Sequence, residues 1–155
     1  DNYRLNYIHG GIDKKNTWVF TLGEYLKNYQ SEGSKLREFL LNIFKKYTVF
    51  FIGYSLNDYE ILQIISKTII DSEKEGNKEL KYHYALLPFS SYNKEEFNIK
   101  KKILEEEFHI KCIKYDIDIE GYESFGKYLK YIVEDISNGL GKSFYNNVKK
   151  IDEVL

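Results

Sequence analysis

The stretch Thr48-Val49-Phe50-Phe51-Ile52-Gly53-Tyr54-Ser55-Leu56-Asn57-Asp58 constrains the fold most. It opens as an unbroken apolar run with β-branched and aromatic residues, turns at a glycine, and leads into a helical pattern. A run of this kind, too short for a helix, predicts a strand buried on both faces in the middle of a parallel sheet. In open α/β sheets ligands lie beyond the carboxyl ends of the strands. Gly53, Ser55 and Asp58 therefore fall where a site is expected.

The rest of the chain alternates strands and helices around that run. Leu5, Tyr7 and Ile8 form a short strand pattern broken by Gly10 and Gly11, and Trp18 to Phe20 a second extended piece. Thr21, with Glu24 three residues on, predicts a capping box for a helix carrying Leu22, Tyr25, Leu26 and Tyr29. Ser34 caps the next helix, whose apolar face is Leu36, Phe39, Leu40, Ile43, Phe44 and Tyr47. Beyond Asp58 the isoleucine-rich pattern from Ile61 to Ile70 predicts a well-buried helix. Tyr82 to Leu87 is a strand, ended by Pro88 because proline cannot donate to a central ladder. Asn93 opens a helix to Glu107 with Phe97, Ile103, Leu104 and Phe108 inward. Ile110 to Tyr115 alternates, as a half-exposed or edge strand does, and Tyr122 to Ser137 is a helix with Phe125, Tyr128, Leu129, Ile132, Val133 and Ile136 buried.

This order predicts an α/β fold, a parallel Rossmann-like sheet with helices on both faces. Residues 1–137 form the domain, and residues 138–155 a C-terminal helix or linker leaving it. A length of 155 residues supports one core, and 43% apolar with 30% charged residues is the balance of a soluble globular chain. A net charge of -1 points to no nucleic-acid or membrane partner. Cys112 is the sole cysteine, which excludes an internal disulfide and a four-cysteine zinc ribbon and suits a reducing, cytoplasmic setting. No run reaches the ~20 apolar residues of a membrane span. The absence of methionine predicts that Asp1 is not the natural N-terminus and that the chain is a piece of a longer one.

The pieces Tyr7-Ile8-His9-Gly10-Gly11, the Thr21 helix start, Thr48 to Asp58 and Tyr115-Asp116 before a final helix resemble, in that order, the C-terminal part of the sirtuin-like domains of bacterial antiphage defence proteins. The resemblance covers residues 5 to 135. It implies NAD as the bound nucleotide and substrate, and NAD hydrolysis as the activity. It implies that His9 is catalytic, and that Gly10, Gly53, Ser55, Asp58, Tyr115 and Asp116 contact the nucleotide. The family's Gly-Ala-Gly phosphate loop and catalytic asparagine are not in this sequence, so the sheet is expected to be incomplete and the chain alone to turn over little NAD. The cysteine pairs of zinc-binding deacetylases are absent too, so no zinc is expected. Further domains of the same protein and a homo-oligomer are the expected partners beside NAD.

The residues support this chemistry on their own terms. Leaving nicotinamide is already cationic and needs no acid, so the site must hold the ribose and accept a proton. A histidine near its ordinary pKa of ~6.5 does the latter. His9 is equally readable as a structural histidine before a glycine turn. Ser55 adds a hydroxyl where helix N-terminal amides can bind phosphate, or is merely the N-cap of a 56–72 helix. Asp58 favours the helix dipole whatever else it does. Gly53 to Asn57 also resembles a hydrolase nucleophile turn with Asn57 in place of the last glycine, but neither His83 nor His109 is an evident triad partner. Cys112 is a packed residue, and Lys100 to Lys102 with Glu105 to Glu107 a solvated helix face. A non-catalytic module that binds NAD or an ADP-ribose derivative, or serves assembly, is the alternative from another class.

Overall fold

A computed structural model describes residues 21–76 and 81–137. The expected pieces at residues 5–20, with His9 and Gly10, and the tail at 138–155 lie outside the described residues. The described chain falls into two units, residues 21–47 with 57–76, and residues 48–56 with 81–137.

The first unit is helical. Thr21 forms the predicted box: its side chain accepts from the Glu24 N–H, and the Glu24 carboxylate accepts from the Thr21 N–H at 3.0 Å. The helix it starts, α1 (Leu22–Tyr25), widens into a π-helical turn over Leu26–Gln30. Ser34 caps α2 (Lys35–Lys46) by accepting from Arg37 N–H. Helix α2 packs on α3 (Tyr59–Lys74). Burial of Tyr29, Leu40, Phe44, Ile61, Ile64 and Ile65 makes this unit's core. Each such side chain removed from water stabilises the fold by ~1.5–3 kcal/mol before entropy is counted. Tyr47 and Ile70 of the expected apolar faces are exposed instead.

The second unit holds the sheet. Strands β1 (Phe50–Ile52), β2 (His83–Phe89) and β3 (Ile110–Asp116) pair in parallel in that order. Leu86, Ile113 and Tyr115 face α5 (Ser124–Ser137), which adds Tyr128 and Ile132 to the core. Side chains alternate faces along a strand, so Phe89 belongs to the other face of the sheet. There it meets Phe97 of α4 (Lys94–Glu107) edge-on, ring centroids 5.2 Å apart. The sheet is thus an α/β arrangement flanked by helices, small and open.

Several expectations are corrected. Among the described residues β1 ends the sheet rather than occupying its middle, and it is half-buried, with Ile52 44% exposed. Pro88 continues β2 instead of ending it. The N–H of His83 points to β3 and that of Tyr84 to β1, so by alternation position 88 faces the β1 side. β1 pairs no further than Leu86, and the proline therefore interrupts no ladder bond. Asn93 makes no side-chain cap, and Ile103 and Val133 are exposed. Strand β3, expected half-exposed, buries Ile110, Cys112, Ile113 and Tyr115 because helices cover both its faces.

Candidate functional site

The site is built where the three strands end. After Ile52 the chain turns through Gly53, whose φ of +65° is a left-handed conformation that only glycine adopts freely. A Cβ there would meet nothing within 4 Å, so the backbone stands open to approach. Tyr54, Ser55 and Leu56 complete the turn, with Leu56 buried and also left-handed at φ 54°. From the end of β2 come Leu86 and Pro88, from β3 Tyr115, from the turn leading into α5 Tyr122, and from the first turn of α5 Phe125. Together with Gly53, Tyr54 and Ser55 they line a cleft of about 340 Å³. This is within the ~300–1,000 Å³ typical of small-molecule sites. A second cleft of about 220 Å³ adjoins it and shares Ser55, Pro88 and Tyr122. Its remaining wall includes Ser90, Asn93, Glu96 and Lys100. Both lobes are mostly apolar; the first is the more aromatic, and the second, whose wall also has Leu87, Phe97 and Ile117, carries the charged side chains.

The aromatic lobe is braced from below. Tyr115 is buried and lies against Phe125 and Tyr128, ring centroids 5.4 and 6.1 Å away. Burial raises its phenol pKa, so the group stays neutral and keeps its proton. Beside the second lobe, Asp118 ties the ends of β2 and β3 together. Its carboxylate accepts from the Ser90 hydroxyl at 2.5 Å and from the Ser91 N–H at 2.9 Å, bonds that hold its pKa below the ordinary carboxylate value. Asp116 is engaged locally, accepting from the Asp118 N–H at 2.8 Å.

Three of the residues expected at the site, Gly53, Ser55 and Tyr115, meet in the aromatic lobe. Asp116 follows directly but lines neither lobe. Asp58 belongs to the helical unit, where it is the N-cap of α3. One carboxylate oxygen accepts from the Glu60 and Ile61 N–H groups, and the other from the Tyr25 hydroxyl. Burial first, and then this bond, push the Tyr25 pKa far above the ordinary tyrosine range. The helix expected from residue 56 thus begins at Tyr59, and Ser55 is not its cap. The amides expected to receive phosphate are already turned to the helix's own carboxylate.

Other side chains resolve into structural parts. His83 is buried at the amino end of β2, where its Nδ1 accepts from the Val49 N–H at 3.1 Å. Burial lowers its pKa to about 4. It lies at the strand end opposite to Ser55, so His83 supplies no imidazole to a nucleophile turn there. Burial, and then the charge of Glu105, push the Cys112 thiol up to about 12, as suits a packed, inert cysteine. Tyr122, Phe125 and Lys100 were not singled out as site residues from sequence. The aromatics follow a helical apolar pattern, and Lys100 reads as one of three solvated lysines. It instead donates to the Ser55 carbonyl at 2.6 Å. Among the described residues no group of three metal-ligating side chains is gathered, and no helix is long and apolar enough to cross a membrane.

Comparison with protein families decides the relationship. The model of the SIR2-like domain matches residues 1–113. The chain belongs to the SIR2-like domain family. The match takes in the turn Gly53 to Leu56 and strands β1 and β2, and it stops inside β3. Tyr115, Tyr122 and Phe125 of this SIR2-like domain lie beyond it. No curated protein and no solved structure matches the chain.

Proposed function

We propose that this SIR2-like domain binds NAD in the two-lobed cleft and is part of an NAD glycohydrolase that cleaves the nicotinamide–ribose bond. What carries the reading is the meeting of Gly53, Ser55 and Tyr115 in one cleft at the carboxyl ends of a parallel sheet, in a chain of this family. The open backbone at Gly53 admits a phosphate or ribose closely. The Ser55 hydroxyl adds a hydrogen bond. Tyr122 and Phe125 offer aromatic faces of the kind that stack on a base, with the buried Tyr115 behind them. His9 is the proton acceptor in this reading and Gly10 the adjoining approach. Asp58 and Asp116 are nucleotide contacts on the strength of the resemblance alone. The same resemblance supports a setting in bacterial antiphage defence, by depletion of NAD.

One observation favours a second reading. None of the described residues lining the aromatic lobe is a histidine or a carboxylate, so among them the lobe supplies binding without a proton acceptor. A module that binds NAD or an ADP-ribose derivative without cleaving it fits that composition. The test is nicotinamide release, measured for the full-length protein and its His9→Ala and Ser55→Ala variants. Hydrolysis predicts turnover that falls ~100-fold or more in His9→Ala. Equal turnover in His9→Ala removes His9 from the chemistry. Binding without release selects the second reading, and absence of binding rejects NAD as the ligand.

A further inference from the structure

Leu56 is left-handed, which strains any residue with a Cβ, and its burial gives the side chain no freedom to relax. The carbonyl just before it, that of Ser55, accepts from Lys100 Nζ at 2.6 Å. The Ser55–Leu56 peptide is planar and trans, so the Leu56 N–H points opposite to that carbonyl. Turning this one peptide over changes ψ of Ser55 and φ of Leu56 together. It takes Leu56 out of the left-handed region, and it withdraws the carbonyl from Lys100. In the orientation seen, a charge-assisted hydrogen bond opposes the relief of strain that such a turn would bring. Lys100 lines only the second lobe, whereas Ser55 lines both. The lysine thus acts on the shared wall from outside the aromatic lobe.

We propose that Lys100 is a positioning residue, whose ammonium fixes the Ser55–Leu56 peptide in the orientation that a nucleotide in the cleft requires. Its consequence for affinity rests on the NAD reading, while its consequence for the turn does not. The test uses Lys100→Met and Lys100→Arg, with Lys100→Gln replacing the methionine variant should that one not fold. In ligand-free protein the Ser55 carbonyl carbon and Leu56 amide resonances shift in Lys100→Met and return toward wild type in Lys100→Arg, with the unfolding midpoint held. Calorimetry with NAD then gives a Kd about tenfold weaker in Lys100→Met, recovered in Lys100→Arg. Unmoved resonances in a folded Lys100→Met protein overturn the proposal, and so do moved resonances with an unchanged Kd for NAD. If the wild-type protein binds no NAD, the NAD reading fails by itself, and the resonances still decide whether Lys100 holds the peptide.

Discussion

At Gly53 a single methyl group separates the demands of folding from those of binding. Gly53→Ala introduces a Cβ at φ +65° with empty space around it, so only backbone strain is added. The expected loss of stability is about 1 kcal/mol, read as a shift in the urea midpoint. On the proposed NAD reading the methyl group takes up space beside the ligand, and affinity for NAD is expected to fall by more than that. Cys112 gives a second residue-level expectation. Its buried thiol, with a pKa near 12, reacts slowly with iodoacetamide in the folded protein and rapidly in urea. Rapid labelling of the native state contradicts that burial. Local chemistry of this kind was legible in the sequence. Thr21 and Ser34 cap their helices through bonds to residues three positions away, and the left-handed glycine sits where the apolar run stops. Lys100 was not legible, because its partner Ser55 lies 45 residues off and nothing in a Lys-Lys-Lys run marks the one that turns inward.

The elements explain why Asp58 and Ser55, three residues apart, take different parts. A left-handed Leu56 redirects the chain after β1, and the helix starts only when Asp58 can supply a cap. Periodicity starts the pattern at residue 56 because it registers apolar spacing and is blind to φ. Asp58→Ala removes the cap of α3 and leaves the Tyr25 hydroxyl without its acceptor. It is expected to lower stability by about 1–2 kcal/mol, whereas Asp58→Asn, which keeps an acceptor, loses less. Thermal unfolding of the two variants measures the difference, and equal losses contradict the capping role. Strand β2 carries a comparable lesson. Pro88 is tolerated because its neighbour strand is short, and strand length on the far side is not written in the residues around the proline.

For the molecule as a whole, pH acts on stability through His83. Its pKa is lowered from 6.5 to about 4 by burial and, next, by the positive charge of Lys81. The folded state therefore favours the neutral imidazole, and the unfolded state binds the proton first. Stability from this group is full above pH ~6.5 and is lost as pH falls from there toward 4, by up to about 3 kcal/mol. Urea unfolding at pH 7.5 and pH 5 reads this slope, which His83→Asn flattens. The alternation of strands and helices made the parallel sheet legible. The two-lobed cleft was not, since it depends on Tyr122 and Phe125 returning to the ends of β1 and β2. That cleft is the centre of the proposed function, and calorimetric titration of the protein with NAD tests it most directly. One saturable site, weakened about tenfold or more in Gly53→Ala, is the predicted result, and an absence of binding, or binding that Gly53→Ala leaves unchanged, would contradict it.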